Sequence, residues 1–200
     1  MLSTACRSAA GHAPPTNQPG VVQVAPRVED LGSGWTERRI VFGVDPLDQP
    51  AETANELVSR DLSNRSRLLA QVKVAMQEQG SVGMGYFGYG LGNLLFSQGR
   101  YDLYLSRYPN LAALEKEWSH YSNPTNQRVE PEVGDVAIWL PRPTNDHDHQ
   151  LIVRSGLYLM RLECTAKQKD EELLHLARKT AERISGIANR KAPATGAPNP

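Results

Sequence analysis

Residues 151–163 constrain the fold more than any other stretch of the chain. Leu151-Ile152-Val153-Arg154 and Leu157-Tyr158-Leu159-Met160-Arg161-Leu162-Glu163 flank Ser155-Gly156, and apolar side chains fall on both faces of each arm. Two apolar arms of strand length around a glycine turn read as a hairpin, and a hairpin apolar on both faces belongs inside a sheet covered on both sides. This hairpin is expected at the centre of an antiparallel sheet.

The remaining elements fit around it. Trp35, Ile40, Phe42 and Val44 predict a strand beginning near Thr36 and ending at Asp45-Pro46. From Ala54 to Gly80, apolar residues recur at helical intervals, as one helix or as two broken near Ser63-Asn64. Gly80, Gly83, Gly85, Gly88, Gly90 and Gly92 then cost too much backbone entropy for a helix, so 80–96 reads as a bent strand or irregular hairpin. Leu94–Phe96 and Tyr101, Leu103, Leu105 are expected to pair across a Gln98-Gly99 turn. Leu111, Leu114, Trp118 and Tyr121 make a helix capped by Asn110, and Val136, Ile138 and Leu140 make a strand after Gly134-Asp135. Thr165 and Gln168 suit a capping box for a last helix whose face is Leu173, Leu174, Ala177, Ala181, Ile184 and Ile187. The order β-α-β-β-(β)-α-β-β-β-α, with short turns between strands, gives an α+β fold: an antiparallel sheet with helices packed on it.

Two hundred residues suit one globular domain, placed at 28–188. Residues 1–27 and 189–200 hold 7 of the 14 prolines and lack apolar periodicity, and read as a disordered tether and tail. Those ends carry Arg7, Arg27, Arg190 and Lys191 and no acid, so in a chain of net charge zero the body is mildly acidic. That balance argues against nucleic acid as a partner, and no window approaches the ~20 apolar residues of a transmembrane helix. Met1-Leu2-Ser3-Thr4-Ala5-Cys6, followed by a proline-rich stretch, is similar to the end of a bacterial lipoprotein signal, with Cys6 as the lipidated residue and a place on the periplasmic face of the cell envelope. The basic and apolar parts of a signal are absent, and Leu2 stands one position too far from Cys6; the alternative is a cysteine in a cytoplasmic tail.

Gly134-Asp135-Val136-Ala137-Ile138-Trp139-Leu140, Leu151 to Tyr158 and Leu176-Ala177-Arg178-Lys179 together resemble the C-terminal part of bacterial exported α+β domains of the PsbP-like and lipoprotein sensor type. That resemblance implies a non-enzymatic binding or accessory role, and it carries over no catalytic residue.

Candidate chemistry is sparse. Gly83-Met84-Gly85-Tyr86-Phe87-Gly88 spells the dinucleotide fingerprint, but a helix precedes it where a buried strand is required, so its glycines read as a kinked, aromatic-bearing strand and not as a phosphate cradle. Asp146-His147-Asp148-His149 is the densest set of metal ligands, and His147 and His149 share a face if the segment is extended; a solvated loop is the plainer reading. Cys164, after a strand, reads as packing. Tyr86, Phe87, Tyr89, Tyr101 and Tyr104 are candidate partner-binding residues, and Tyr101, Tyr104 and Tyr108 with Arg100 and Arg107 suit a polar aromatic surface at a sheet edge. No cofactor is implied. The leading expectation is a non-catalytic, membrane-tethered domain that recognises a protein partner or small ligand. The alternatives are a metal-binding protein or metal-dependent enzyme centred on His147 and His149, and a structural subunit docking through 80–96.

Overall fold

The computed structural model describes residues 18–48, 62–93, 96–122, 128–130, 132–141, 149–164 and 170–190. Among them, α1 (Val21–Val24) and α2 (Val28–Leu31) precede β1 (Trp35–Val44), α3 (Leu62–Gln79), β2 (Gly83–Asn93), β3 (Phe96–Arg107) and α4 (Leu111–Tyr121). Then come β4 (Arg128–Glu130), β5 (Val136–Pro141), β6 (His149–Ser155), β7 (Tyr158–Cys164) and α5 (Asp170–Arg190). The strands form one sheet in the order β1-β2-β3-β7-β6-β5-β4, every pair antiparallel. The fold is α+β, as the turn and strand pattern requires.

The β6–β7 hairpin turns at Gly156, whose φ of 58° is the left-handed conformation glycine adopts without strain, and β7 is the middle strand of the seven. Both faces of that hairpin are covered. Leu151, Val153, Tyr158, Met160 and Leu162 point to an inner face under α1, α2 and α5, joined by Phe87, Tyr89, Tyr101, Leu103 and Leu105. Ile152 and Leu159 point the other way and pack with Ile138, Tyr108, Leu114 and Trp118 beneath α4. The α4 start is as read: Asn110 Oδ1 accepts the Ala113 amide at 2.9 Å. In α5, Leu173, Leu174, Ala177, Ala181 and Ile184 are buried, with Asp170, Glu171 and Glu172 in the first turn.

Two sequence expectations change, and one left open is decided. The turn before β3 is not at Gln98-Gly99: those residues lie inside β3, and Gly99 pairs with Leu91 across a register shift at Leu91/Gly92. A bulge absorbs an extra residue without ending a strand, so the glycine there marks irregular pairing. Of the two readings of the glycine segment the strand is the one found: Gly83, Gly85, Gly88, Gly90 and Gly92 lie in the 11-residue β2, and Gly80 precedes it. The tether does not extend to residue 27. Val21, Val24 and Ala25 are fully buried in the main core, so the domain includes at least residues 18–27. Residues 1–17 and 191–200, and the Thr165–Gln168 capping box, lie outside the described residues.

Candidate functional site

Strand alternation and register set up the site. Read across the outer face, Phe42 of β1 pairs with Tyr86 of β2, Tyr86 with Tyr104 of β3, and Tyr104 with Arg161 of β7. The four side chains form a row. Phe42 meets Tyr86 edge-on at 6.1 Å, the rings of Tyr86 and Tyr104 stack at 4.5 Å and 8°, and the Arg161 guanidinium lies 4.2 Å from the centre of Tyr104. The row behind it carries Gly88 paired with Asp102 and Gly90 paired with Arg100. Tyr86 donates its hydroxyl to Asp102 at 3.0 Å, while Arg100 donates to Asp102 at 3.1 Å and to the Tyr86 oxygen at 2.6 Å. Burial, and then the Asp102 carboxylate that accepts its proton, push Tyr86 up to about 12. It is therefore a fixed neutral donor at physiological pH.

The α4 helix covers only the β5–β6–β7 part of this face, so the row from Phe42 to Arg161 ends where its apolar cluster begins. Phe42, Tyr86, Tyr104 and Arg161 are all half-buried, and Arg100 keeps 54 % of its side chain exposed. Between the end of α3 and α4 the row opens into a cleft of about 90 Å³, lined by Gln79, Met84, Tyr104, Glu117, Tyr121 and Arg161 among others. Charge is nearly balanced across the face, with Arg100, Arg161 and Asp102 joined by Glu163, which lies 3.3 Å from Arg161.

Of the expected partner-binding residues, Tyr86 and Tyr104 are on this face. Phe87, Tyr89 and Tyr101 alternate to the inner side and are buried in the core at 0 %, 1 % and 0 % exposure, so they support the fold and offer nothing to a partner. Tyr108 is also buried, and Arg107 is paired inside the protein to Asp45 at 2.6 Å. The tyrosine surface is thus not at a sheet edge: β2 and β3 are interior strands. Phe42 and Arg161 are the members that the sequence reading missed, because only the pairing of β1 and β7 with β2 and β3 aligns them. The fingerprint-like glycines run straight along β2, with no glycine turn opening a helix to receive a phosphate. Cys6, Asp146, His147 and Asp148 lie outside the described residues, as does the side chain of His149. Among the described residues, no group of three or more His, Cys, Asp or Glu is placed to hold a metal ion. Cys164 is buried in the core. No described helix is long and apolar enough to cross a membrane.

No protein-family model matches the chain, and no curated protein matches it. Among solved structures, the extracellular domain of PknH from Mycobacterium tuberculosis is similar, with a TM-score of 0.47 and 6% identity over 88% of this chain and 100% of that one. A likeness at that level carries no functional argument.

Proposed function

We propose that the chain is a binding module, without chemistry of its own, that recognises a protein partner through the outer face of β1, β2, β3 and β7. The observation that carries this reading is the row Phe42–Tyr86–Tyr104–Arg161, partly exposed between the end of α3 and α4, with Arg100 at its rim. Tyrosine, phenylalanine, methionine and arginine are the side chains that concentrate binding energy at protein interfaces, and the ion pairs here hold them in place before a partner arrives. A small ligand suits the face less well, since the cleft of about 90 Å³ is well below the ~300 Å³ at which drug-sized pockets begin. The residues around Cys6 support an exported, lipid-tethered form of the module. Intact mass of the chain from its native host tests that part: an acylated Cys6 agrees with it, and an unmodified Cys6 behind a retained Met1 refutes it.

The face itself is tested by cross-linking and affinity capture in the native host with the wild type, Arg161→Glu and Arg100→Glu. The expected result is one cross-linked partner whose contacts map to residues 42, 86, 100, 104 and 161 and which both variants lose while keeping their melting temperature. Cross-links that map elsewhere, or a partner retained by both variants, would sink the reading.

A further inference from the structure

The inner side of the β1–β2 edge holds a buried charge cluster that the outer face does not use. Residues 18–25 lie across it as a strap. Asp45 Oδ2 accepts the Val21 amide at 3.2 Å; both Asp48 oxygens accept the Val22 amide at 3.1 Å, and Asp48 Oδ1 the Gln23 amide at 3.3 Å. Arg107 grips Asp45 in a fork, Nε to Oδ2 at 2.7 Å and Nη2 to Oδ1 at 2.6 Å. The three ionisable groups are sealed: the side chains of Arg107 and Asp45 are 3 % and 0 % exposed, and Asp48 is 4 % exposed.

One guanidinium thus serves two carboxylates, and its fork is spent on Asp45. The described elements around it leave Asp48 in the same position. From β7, Tyr158 donates its hydroxyl to the Pro19 carbonyl. From β1, Arg38 is drawn to the Val22 carbonyl at 3.2 Å; from α5, Arg183 donates to the Gln23 carbonyl at 2.8 Å and to Asp30 at 2.7 Å. Among the described residues, Asp48 therefore carries the surplus negative charge: its carboxylate accepts only amides of the strap, and Arg107 acts on it from a distance. We propose that Asp48 is a proton-operated latch on residues 18–25, so that the segment joining residues 1–17 to the domain docks more tightly in acid than at neutral pH.

The sign follows from linkage. With the strap docked, burial above all, and then repulsion from Asp45, push the Asp48 carboxyl up to about 6 against the pull of the Val22 and Gln23 amides. Undocked, the carboxyl meets water and returns to its ordinary 3.8. The docked state binds the proton more tightly, so docking is strongest below pH 4 and weakens as pH rises to about 6. Two pKa units bound the swing in the docking equilibrium at roughly 100-fold.

Hydrogen exchange on the full chain, read by NMR and corrected for intrinsic rates, tests the latch. The Val21, Val22 and Gln23 amides should open tens of times more often at pH 7.5 than at pH 4, while the Leu103 and Leu162 amides keep their protection. Asp48→Asn should abolish the difference. Equal opening at both pH values, or a difference that survives Asp48→Asn, overturns the proposal. The carboxyl carbon shift of Asp48 in the wild type decides independently of any variant: a midpoint near 6 supports the latch, and one near 4 overturns it.

Discussion

Arg107→Met isolates the contribution of the buried fork. In the native protein Asp45 is satisfied by two guanidinium bonds and by the Val21 and Leu47 amides, the last at 2.9 Å. Methionine replaces most of the apolar stem of Arg107, so packing is largely kept, but Asp45 is left as a buried carboxylate with no cation. Removing one partner of a buried pair costs about 3–5 kcal/mol, because the remaining charge has lost its compensation and regains no water. Arg154 and Glu115 on the outer face supply the internal control. Their ion pair has side chains 24% and 52% exposed, where a surface pair contributes about 0–1 kcal/mol. At about 2–4 °C per kcal/mol for a chain of this size, Arg107→Met should lower the melting temperature by about 6–20 °C, and Glu115→Gln by less than about 4 °C. Urea denaturation at pH 7, followed by far-ultraviolet circular dichroism, gives the free energies. Adding Asp45→Asn to Arg107→Met should recover part of the loss, since both charges are then gone and Asn still accepts an amide proton. If Arg107→Met cost no more than Glu115→Gln, Asp45 would have to reach water or relax freely, and the sealed-cluster reading would fail.

Other perturbations test separate parts of the fold. Gly83→Ala should cost about 1–3 kcal/mol and expose residues 18–25 to limited proteolysis, because a Cβ there overlaps the Asp45 carboxylate. Asn110→Ala should cost about 1 kcal/mol in the same denaturation assay, with Asn110→Asp nearly neutral, since aspartate also caps. Global stability should fall as pH rises from about 4 to about 6, by roughly 2–3 kcal/mol at most, through Asp48; a pH titration of the denaturation midpoint in wild type and Asp48→Asn checks the slope.

What was legible in the sequence was what local chemistry fixes. The Ser155-Gly156 hairpin announces its own central place because its arms are apolar on both sides, and both core clusters claim it. Asn110 and the acidic start of α5 mark helix ends that depend only on neighbours a turn away. The misread features depend on residues distant in sequence. Phe87, Tyr89 and Tyr101 resemble Tyr86 and Tyr104 in composition, and only strand parity separates buried rings from half-exposed ones. Arg107, read as part of a polar surface, is fixed by Asp45 62 residues away. The strap at 18–25 reads as a tail because Pro19 and Gly20, with Pro26 just beyond it, dominate its appearance, while Val21, Val24 and Ala25 are too few to make a periodic signal. Its order comes from elsewhere: Asp45, Asp48, Tyr158, Arg38 and Arg183 each bond its backbone.

The inward-facing glycines of β1 and β2 acquire one physical reading from this geometry. At Gly43 on β1, a Cβ would lie 2.5 Å from the Val22 side chain; at Gly83 it would strike Asp45. These positions make a bare-backbone floor on the inner side, where α1 rests against the sheet. On the opposite side of the same strand, Met84 and Tyr86 face outward into the binding row. A single strand thus separates the strap from the outer face, and the two proposals make separable demands on it. Arg161 and Arg100 touch nothing in the strap, so reversing their charge should abolish capture of the partner and leave exchange at Val21–Gln23 unchanged. Asp48 touches nothing on the outer face, so Asp48→Asn should flatten the pH response of the strap and leave partner binding intact at low pH. If each variant moved both readouts, the strap and the row would be one coupled device, with β2 as the element through which they communicate.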